Sequence, residues 1–515
     1  MQDPLSGLID LDPRSGKTLV RQLCDRLREA ILTGHLPPGQ HLPSSRQLAR
    51  RLKVSRNTVS FAIEQLAMEG YLDVAQGRRP MVVAVARSSP ASRAPLQRPS
   101  KAIQVSRWAE RLRRSDWPFE PEGVPRPFSP GLADAREFPH DLWARCLRRA
   151  ARNADRSSTV DVNRPGLRAA LLRHLAEYRG VKAATHQLII LPSAQSAIEL
   201  IARTIVDHGD TAWLESPGYG GARAAFEAVG ARILGVSLDD RGLSIARRID
   251  RPRLIFVTPS HQYPTGRLMP VSRRQELLDF AAATGAVIIE DDYDSEFHYD
   301  GRPVASLQGL DRGNAVFYVG TLSKSTFADI RVGYAIVPES LVAIFERAQR
   351  HGGQIVAASV QDALADFIDE GYLAQHIRKM TRLYRARRDR LVQALTAAAG
   401  DRLEVTPPAG GMQLLAYLRA HDGDRTITTR LAEAGVTVRP LSRHFVGEPT
   451  GQGLFLGFAA WNEREIDAGA EVIGRAVSTP AETASRRSSR PVPAGSAGRA
   501  PSRRSRKRSN RPAGA

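Results

Sequence analysis

The sequence predicts two folded blocks of different class. One is a small helical block closed by a strand hairpin, and the other is a large α/β block on a mostly parallel sheet. Three observations lead there. Helix-period apolar spacing, interrupted by Gly and Pro, recurs three times within about residues 15–86. Between about residues 127 and 477, short apolar runs alternate with helical ones, the pattern of βα units. Proline- and serine-rich stretches at 87–126 and 478–515 carry no such period, and read as a linker and a disordered basic tail.

The small block comes first. KTLVRQLCDRLREAILT places Leu19, Leu23, Leu27, Ile31 and Leu32 on one helix face. Gly34, Pro37, Pro38 and Gly39 stop that helix. Ser44 or Ser45 caps the next one, SRQLARRL, because a hydroxyl there satisfies an orphan backbone N–H. KVS turns the chain, and Ser55 caps a third helix, RNTVSFAIEQLAMEG, which ends at Gly70. YLDVAQGRRPMVVAVA reads as two short strands around Gly77. Three helices and a hairpin make a winged helix-turn-helix, whose third helix enters a DNA major groove. Arg56, Asn57 and Thr58 fill its first turn, and such side chains suit base edges and phosphates. Arg46 suits phosphate or base; Arg78 and Arg79 suit the minor groove or the DNA backbone.

LPPGQHLPSSRQLARRLKVSRNTVSFAIEQLAMEGYL closely resembles the GntR family of bacterial repressors, over about residues 17–84. The resemblance implies that Arg46, Ser55, Arg56, Asn57, Thr58 and Gly77 lie at double-stranded operator DNA. The family's wing usually carries a Gly-Arg-Gly-Thr-like turn. GRRPM stands here, and Pro80 is able to distort the hairpin.

The linker holds VSRWAERLRRS, a short helix between proline-rich flanks. In the large block QLIIL, TAWLE, ARILGV, RLIFVTP, AVIIED and AVFYVGT read as strands. PGLRAALLRHLAEYRG, SAQSAIELIARTIV, ARAAFEAVG and RRQELLDFAAATG read as helices. In such a fold ligands sit beyond the carboxyl ends of the strands. Ser193, Glu215, Asp291 and Lys324 all fall at such ends.

Lys324 lies in GTLSKSTFADIRVG, among small and hydroxylic residues. A lysine that forms a Schiff base must lose its proton and admit a flat ligand, and such a setting suits it. The ligand would be pyridoxal 5'-phosphate, and the other parts follow in order. Ser193-Ala194-Gln195 opens a helix and suits a phosphate, and Arg331 is a bidentate phosphate clamp. Asp291 or Asp292 suits the pyridine nitrogen, Tyr293 the phenolic oxygen and Tyr219 the ring face.

Over about residues 127–477 the chain resembles the class I aminotransferase domain of fold type I enzymes. With the small block it resembles the MocR-like subgroup of GntR regulators, through LESPGYGG, FVTPSHQYPTG, IIEDDYDSEFHYDG and YVGTLSKSTFADIRVGYAIVP. The resemblance implies an internal aldimine at Lys324, with Asp291, Tyr293, Arg331, Tyr219, Ser193, Ala194, Gln195 and Ser323 around the cofactor. Tyr263 stands where aminotransferases carry the Asn that touches the phenolic oxygen. Phe455 stands where they carry the Arg that holds a substrate α-carboxylate. Losing that clamp argues against efficient turnover of ordinary α-amino acids. Arg439 or Arg443 is able to hold an acidic effector instead.

The chain has 515 residues, 42% of them hydrophobic, enough for real cores. No apolar run of about 18 residues suggests a membrane span, and MQDPLSGLIDLDPRSG has neither the basic nor the apolar part of a signal peptide. Only Cys24 and Cys146 are present, so no disulfide framework is expected and a reducing cytoplasm fits. No metal site is expected. The net charge of +20 calls for a polyanionic partner. The expected function is transcription regulation, with a small amine, an amino acid or pyridoxal phosphate as effector and, by resemblance, a head-to-tail homodimer. The alternative is an active aminotransferase with an appended DNA-binding head.

Overall fold

The structure, a computed structural model, describes residues 9–12, 14–75, 77–84, 103–117, 126–152, 161–245, 251–301, 304–419 and 423–478. The chain divides into two compact units between Gln104 and Val105. Residues 87–102 and 118–125 of the expected linker, and the tail after Ser478, lie outside the described residues.

The first unit contains α1 (Leu19–Leu32), α2 (Ser45–Leu52), α3 (Arg56–Met68), β1 (Leu72–Asp73) and β2 (Met81–Val82). The helices form where caps and apolar spacing coincide. Thr18, Ser44 and Ser55 each accept a backbone N–H from three residues on. Ser44 is therefore the cap of α2, and Gln47 closes the box by accepting the Ser44 N–H at 3.2 Å. Lys53 takes a left-handed φ of 51° and turns the chain between α2 and α3. Leu23, Leu27, Leu48, Val59, Ile63, Leu66, Leu72 and Val82 share one core. Pro80 leaves the hairpin intact. The register pairs Leu72 with Val82 and Asp73 with Met81, so Pro80 falls just outside the ladder and its missing N–H is not needed there. Its carbonyl instead accepts the Leu42 N–H at 2.8 Å.

The second unit begins with α4 (Arg107–Arg113), α5 (His140–Arg152), α6 (Pro165–Arg179), β3 (Leu188–Leu191), α7 (Ala194–Ile205), β4 (Thr211–Ser216) and α8 (Gly220–Val229). It continues with β5 (Arg232–Asp239), β6 (Gly242–Leu243), β7 (Leu254–Val257), α9 (Val271–Thr284), β8 (Val287–Asp292), α10 (Leu307–Leu310), β9 (Val316–Thr321) and β10 (Gly333–Ile336). It closes with α11 (Val342–His351), α12 (Ala358–Asp369), α13 (Tyr372–Ala399), β11 (Leu403–Val405), β12 (Gln413–Leu418), α14 (Asp424–Glu433), β13 (Arg439–Pro440), β14 (Gly453–Gly457) and α15 (Glu463–Ser478).

The main sheet has the order β3-β10-β9-β8-β7-β4-β5-β6. Its centre, from β9 to β5, is parallel, and β10 runs antiparallel to both its neighbours. The central strands are buried on both faces and mostly apolar, as parallel strands covered by helices must be, with the carboxylates of β4 and β8 at their carboxyl ends. A second, antiparallel sheet, β11-β12-β14-β13, packs with α13 and α15 around its own core of Met380, Leu391, Leu414, Leu456 and Ile473. The short helix within the expected linker packs on the second unit. Arg111 Nε donates to the Ala228 carbonyl at 2.8 Å, and the Arg203 guanidinium lies 5.6 Å from the Trp108 ring. Among the described residues, no helix is long and apolar enough to cross a membrane.

Candidate cofactor pocket and nucleic-acid interface

Lys324 follows β9 in a turn whose shape comes from its hydroxylic neighbours. Thr321 Oγ1 donates to the Val332 carbonyl at 3.2 Å and accepts the Ser323 N–H at 3.2 Å. Thr326 Oγ1 donates to the Leu322 carbonyl at 2.6 Å. The serines and threonines of this stretch thus satisfy backbone groups that a tight turn leaves over. The Lys324 ammonium donates to the Gly131 carbonyl. Burial pushes its pKa below the usual lysine range, while Asp294 and Asp291 pull it back up. A lysine so placed reaches its neutral, nucleophilic form more easily than an exposed one.

Ser193, Ala194, Gln195, Tyr219, Tyr263, Asp291, Tyr293, Ser323 and Arg331 all line one cavity with Lys324, of about 560 Å³. Ser193 caps α7 and accepts the Ser196 N–H at 3.0 Å, so the first turn of that helix opens on the cavity. Gly333 of β10 lies under this turn, where a Cβ would be 2.3 Å from the Ser193 carbonyl carbon. Arg331 ends a short 3-10 turn at a left-handed φ of 50° and is exposed at the cavity. Tyr219 precedes α8, and its hydroxyl donates to Gln195 Oε1 at 3.2 Å.

The two neighbouring aspartates at the end of β8 divide. Asp292 accepts from Arg179 Nε at 2.6 Å and from the Tyr318 hydroxyl at 2.5 Å. Asp291 faces the cavity, and its Oδ1 is buried without a hydrogen-bond partner among the described residues. Burial, then Asp292 and Asp294, pushes the Asp291 carboxyl up to about 8, against the pull of Lys324.

Tyr263 stands in the middle of an aromatic group. Tyr219, Tyr293, His444 and Phe455 lie edge-on to it at centroid distances of 5.4, 6.0, 5.3 and 5.0 Å. Its hydroxyl accepts from Arg439 Nη1 at 2.8 Å. Tyr293, expected at a phenolic oxygen, donates its hydroxyl to the His261 carbonyl at 3.1 Å. Arg439 lines the cavity, whereas Arg443 lines a neighbouring one. Gly131, Trp117, Thr258 and Gln413 also line the cavity and were not foreseen. Gly131 acts through its carbonyl, which no side chain announces. Gln413 arrives from the second sheet, whose approach to Lys324 no local pattern encodes.

In the first unit Arg46 is exposed on α2, and Arg56 and Asn57 are exposed on the first turn of α3. Ser55 accepts the Thr58 N–H at 3.0 Å, and the two hydroxyls lie 2.8 Å apart. Gly77 has a φ of 80° at the tip of the hairpin, next to exposed Arg78 and Arg79.

The profile of the family "Bacterial regulatory proteins, gntR family" matches residues 19–82, and that of "Aminotransferase class I and II" matches residues 134–473. The probable rhizopine catabolism regulatory protein MocR of Rhizobium meliloti is 36% identical over 469 residues, which span 90% of this chain and 94% of that protein. The chain is a MocR-like regulator of the GntR family. This MocR-like chain is also 31% identical to the pyridoxine biosynthesis transcriptional regulator PdxR of Corynebacterium glutamicum, over 88% of its own length and 95% of that protein. Among solved structures, the α-aminoadipate aminotransferase LysN of Thermus thermophilus, complexed with N-(5'-phosphopyridoxyl)-L-leucine, matches with a TM-score of 0.65 and 27% identity. That match covers 72% of this chain and 97% of the enzyme. The MocR-like chain thus joins a GntR DNA-binding domain to a fold type I domain of the pyridoxal-phosphate-dependent class.

The cavity fits that cofactor. The orphaned Asp291 oxygen, in a site that raises its pKa, calls for a cationic N–H such as a protonated pyridine. The open N-terminus of α7 and the guanidinium of Arg331 suit a phosphate dianion.

Proposed function

We propose that this regulator controls its operator by sensing a small amine, an amino acid or pyridoxal phosphate itself at Lys324, as a homodimer that presents two DNA-binding heads. The observation that carries the reading is convergence. Nine residues from turns, helix starts and strand ends share one cavity with a part-buried lysine, and one of them, Asp291, has a carboxylate oxygen without a hydrogen-bond partner among the described residues.

Asp291 would hold the pyridine nitrogen, and Tyr293 would serve the phenolic oxygen. Arg331 and the first turn of α7 would hold the phosphate, Tyr219 would cover the ring, and Ser323 and Tyr263 would border it. Bound there, pyridoxal phosphate supplies an aldehyde carbon that exchanges one amine for another. Lys324 is the resident amine, and its neutral form is favoured by burial. Freed when a ligand amine displaces it, Lys324 would again be able to donate to the Gly131 carbonyl, as its free amine does here. Gly131 and Trp117 belong to the stretch by which the chain enters the second unit from the DNA-binding domain. Ligand occupancy therefore bears on that stretch, and a ligand shifts DNA affinity by as much as its affinities for the two states differ. The heads of a dimer would meet two half-sites on the operator.

The test is the visible absorption spectrum of the purified protein beside Lys324→Ala, during titration with amines and amino acids and with operator binding followed in parallel. Wild type is expected to show a cofactor band that the variant lacks, and one amine is expected to shift both the band and the operator affinity. No band in wild type with added cofactor would overturn the reading.

A further inference from the structure

Gln413 opens β12 and reaches the Lys324 cavity from the second sheet. Its side chain is buried, and the two ends of its amide have different surroundings. The nitrogen end serves Tyr293. Burial and the Asp294 charge push the pKa of that phenol up; a hydrogen bond from Gln413 works the other way, as only a donor does. The Tyr293 hydroxyl gives its own proton to the His261 carbonyl at 3.1 Å, so its oxygen is able to accept. This chain of donors fixes the amide. Turned over, its oxygen would meet an oxygen with no proton to offer. Gln413 Oε1 is then left buried, with no hydrogen-bond partner among the described residues. A buried acceptor in that position calls for a donor. Lys324 is the donor at hand. A Cβ on Gly131 would lie 3.0 Å from Lys324 Nζ and 3.9 Å from Gln413 Oε1, so the amine and the amide oxygen border the same small space. The amine gives one N–H to the Gly131 carbonyl and, as an ammonium, has two more.

We infer that Gln413 Oε1 and the Gly131 carbonyl form an acceptor pair for the Lys324 ammonium, and that Gln413 is a positioning residue that sets how readily a ligand amine takes the lysine's place. The exchange itself rests on the cofactor reading above. In it a primary ammonium ligand gives up two protons, and its nitrogen forms a bond to the aldehyde-derived carbon of the cofactor. The bond from that carbon to Lys324 Nζ breaks, and Lys324 gains the two protons and leaves as an ammonium. Total charge is unchanged; only the amine that must be held as a free cation differs. An ammonium makes stronger hydrogen bonds than a neutral donor, so each acceptor beside Lys324 favours the exchanged side. The other charged groups around the amine pull in both directions. Burial lowers the Lys324 pKa, while Asp294 and Asp291 raise it. Arg331 and Arg439 bring like charge to the same cavity. Glu199, at its edge, is held by Arg203 at 2.7 Å. Burial keeps the phenols of Tyr219, Tyr263 and Tyr293 above their ordinary range, hence uncharged. In that balance the removal of one neutral acceptor tips Lys324 toward its neutral form.

The experiment has two arms, both on the full chain. In the first, the cofactor-free protein is labelled briefly with acetic anhydride over a pH series. The Lys324 peptide is then read by mass spectrometry, and the midpoint of its labelling is the pKa of the amine. Gln413→Leu removes the oxygen and Gln413→Asn draws it back by one methylene. Each should lower the midpoint by about one unit, the low end of what a hydrogen bond to a charged group contributes. Gln413→Glu puts a full negative charge at the same place and should raise the midpoint. A general loosening of the fold would instead move all three variants upward, toward the value of an exposed lysine. In the second arm, the cofactor-loaded protein is titrated with methylamine at about pH 7, and the visible band is followed. The half-shift concentration should rise about tenfold in Gln413→Leu and Gln413→Asn, the equivalent of that one unit. Midpoints that stay or rise in both of these variants overturn the acceptor pair, with no cofactor involved. Lowered midpoints with an unchanged half-shift concentration overturn the part of Gln413 in the exchange. A wild type that shows no band with added cofactor removes the cofactor reading and the exchange with it, while the labelling arm still decides the pair.

Discussion

Successive side chains of a strand leave opposite faces, and at the end of β8 this alternation gives two adjacent aspartates different work. Asp292 turns to Arg179 and Tyr318; although burial raises its pKa, these partners overcome it and hold the carboxyl below the usual range. Asp291 turns to the cavity, where burial and the like charges of Asp292 and Asp294 raise it to about 8. The consequence for stability has a definite sign. A carboxyl raised in the folded state contributes its full stability below the unfolded pKa of about 3.9, and loses it progressively as pH rises to about 8. Across that window the cofactor-free protein should lose up to about 1.4 kcal/mol per pH unit from this one group. Glu215, raised to about 7 by burial, acts with the same sign, so the measurement must be a difference. Chemical denaturation of cofactor-free wild type and Asp291→Asn at about pH 5 and about pH 8 supplies it. The variant should show the smaller drop, and equal drops would mean that Asp291 is ionised in the empty site. The sequence offered Asp291 and Asp292 as equals, because strand phase at an end residue depends on register. Lys324 was legible because its neighbours are chemically odd for a surface lysine. The Gly131 carbonyl was not, since every residue has one.

At the scale of elements, the parallel centre of the sheet was readable as apolar runs between helices, and the helices as capped apolar stripes. β10 was not, because GYAI is only four residues long and runs against its neighbours, where the βα alternation has stopped. The second sheet was missed for a similar reason: its strands alternate weakly and two of them have three residues or fewer. Yet β10 matters to the site, since it sets the height of the α7 N-terminus. A Cβ on Gly333 would lie 2.3 Å from the Ser193 carbonyl carbon and 2.5 Å from the Ala194 nitrogen, and backbone cannot swing aside as a side chain would. Gly333→Ala should therefore tilt the first turn of α7 away from the phosphate. Its expected cost is about 1–3 kcal/mol of stability, the usual range for overpacking, with a clear loss of cofactor affinity. Gly313→Ala, whose Cβ would meet nothing closer than 3.5 Å, is the control and should do neither. Pyridoxal phosphate titration of both variants decides it; a Gly333→Ala protein that binds like wild type would remove β10 from the cradle.

For the molecule as a whole, the question is where a net charge of +20 acts. Residues 15–86 hold eleven basic and five acidic residues, and residues 479–515 hold ten basic and one acidic. Most of the excess thus lies in the DNA-binding domain and the tail, not in the cofactor-binding domain between them. Two kinds of DNA contact are then separable, because only one of them reads sequence. On the reading that side chains at the start of α3 touch base edges, Arg56→Ala should cost about 1–3 kcal/mol of operator affinity and relax the preference at one base position. Its cofactor band should be unchanged, since Arg56 lies in the other unit. The tail's sequence offers ten basic residues and no base-reading motif, so its expected contribution is counterion release. Each phosphate it neutralises steepens the dependence of log affinity on log salt by about 0.9. Deletion after Ser478 should therefore flatten that slope and weaken operator and random DNA alike, leaving their ratio intact. Binding to both DNAs over a salt series, for the full chain, the truncated chain and Arg56→Ala, separates the two terms. A truncation that changed the ratio would give the tail a part in sequence recognition. A truncation that left the slope alone would move the whole electrostatic contribution onto the domain that holds Arg46, Arg56, Arg78 and Arg79.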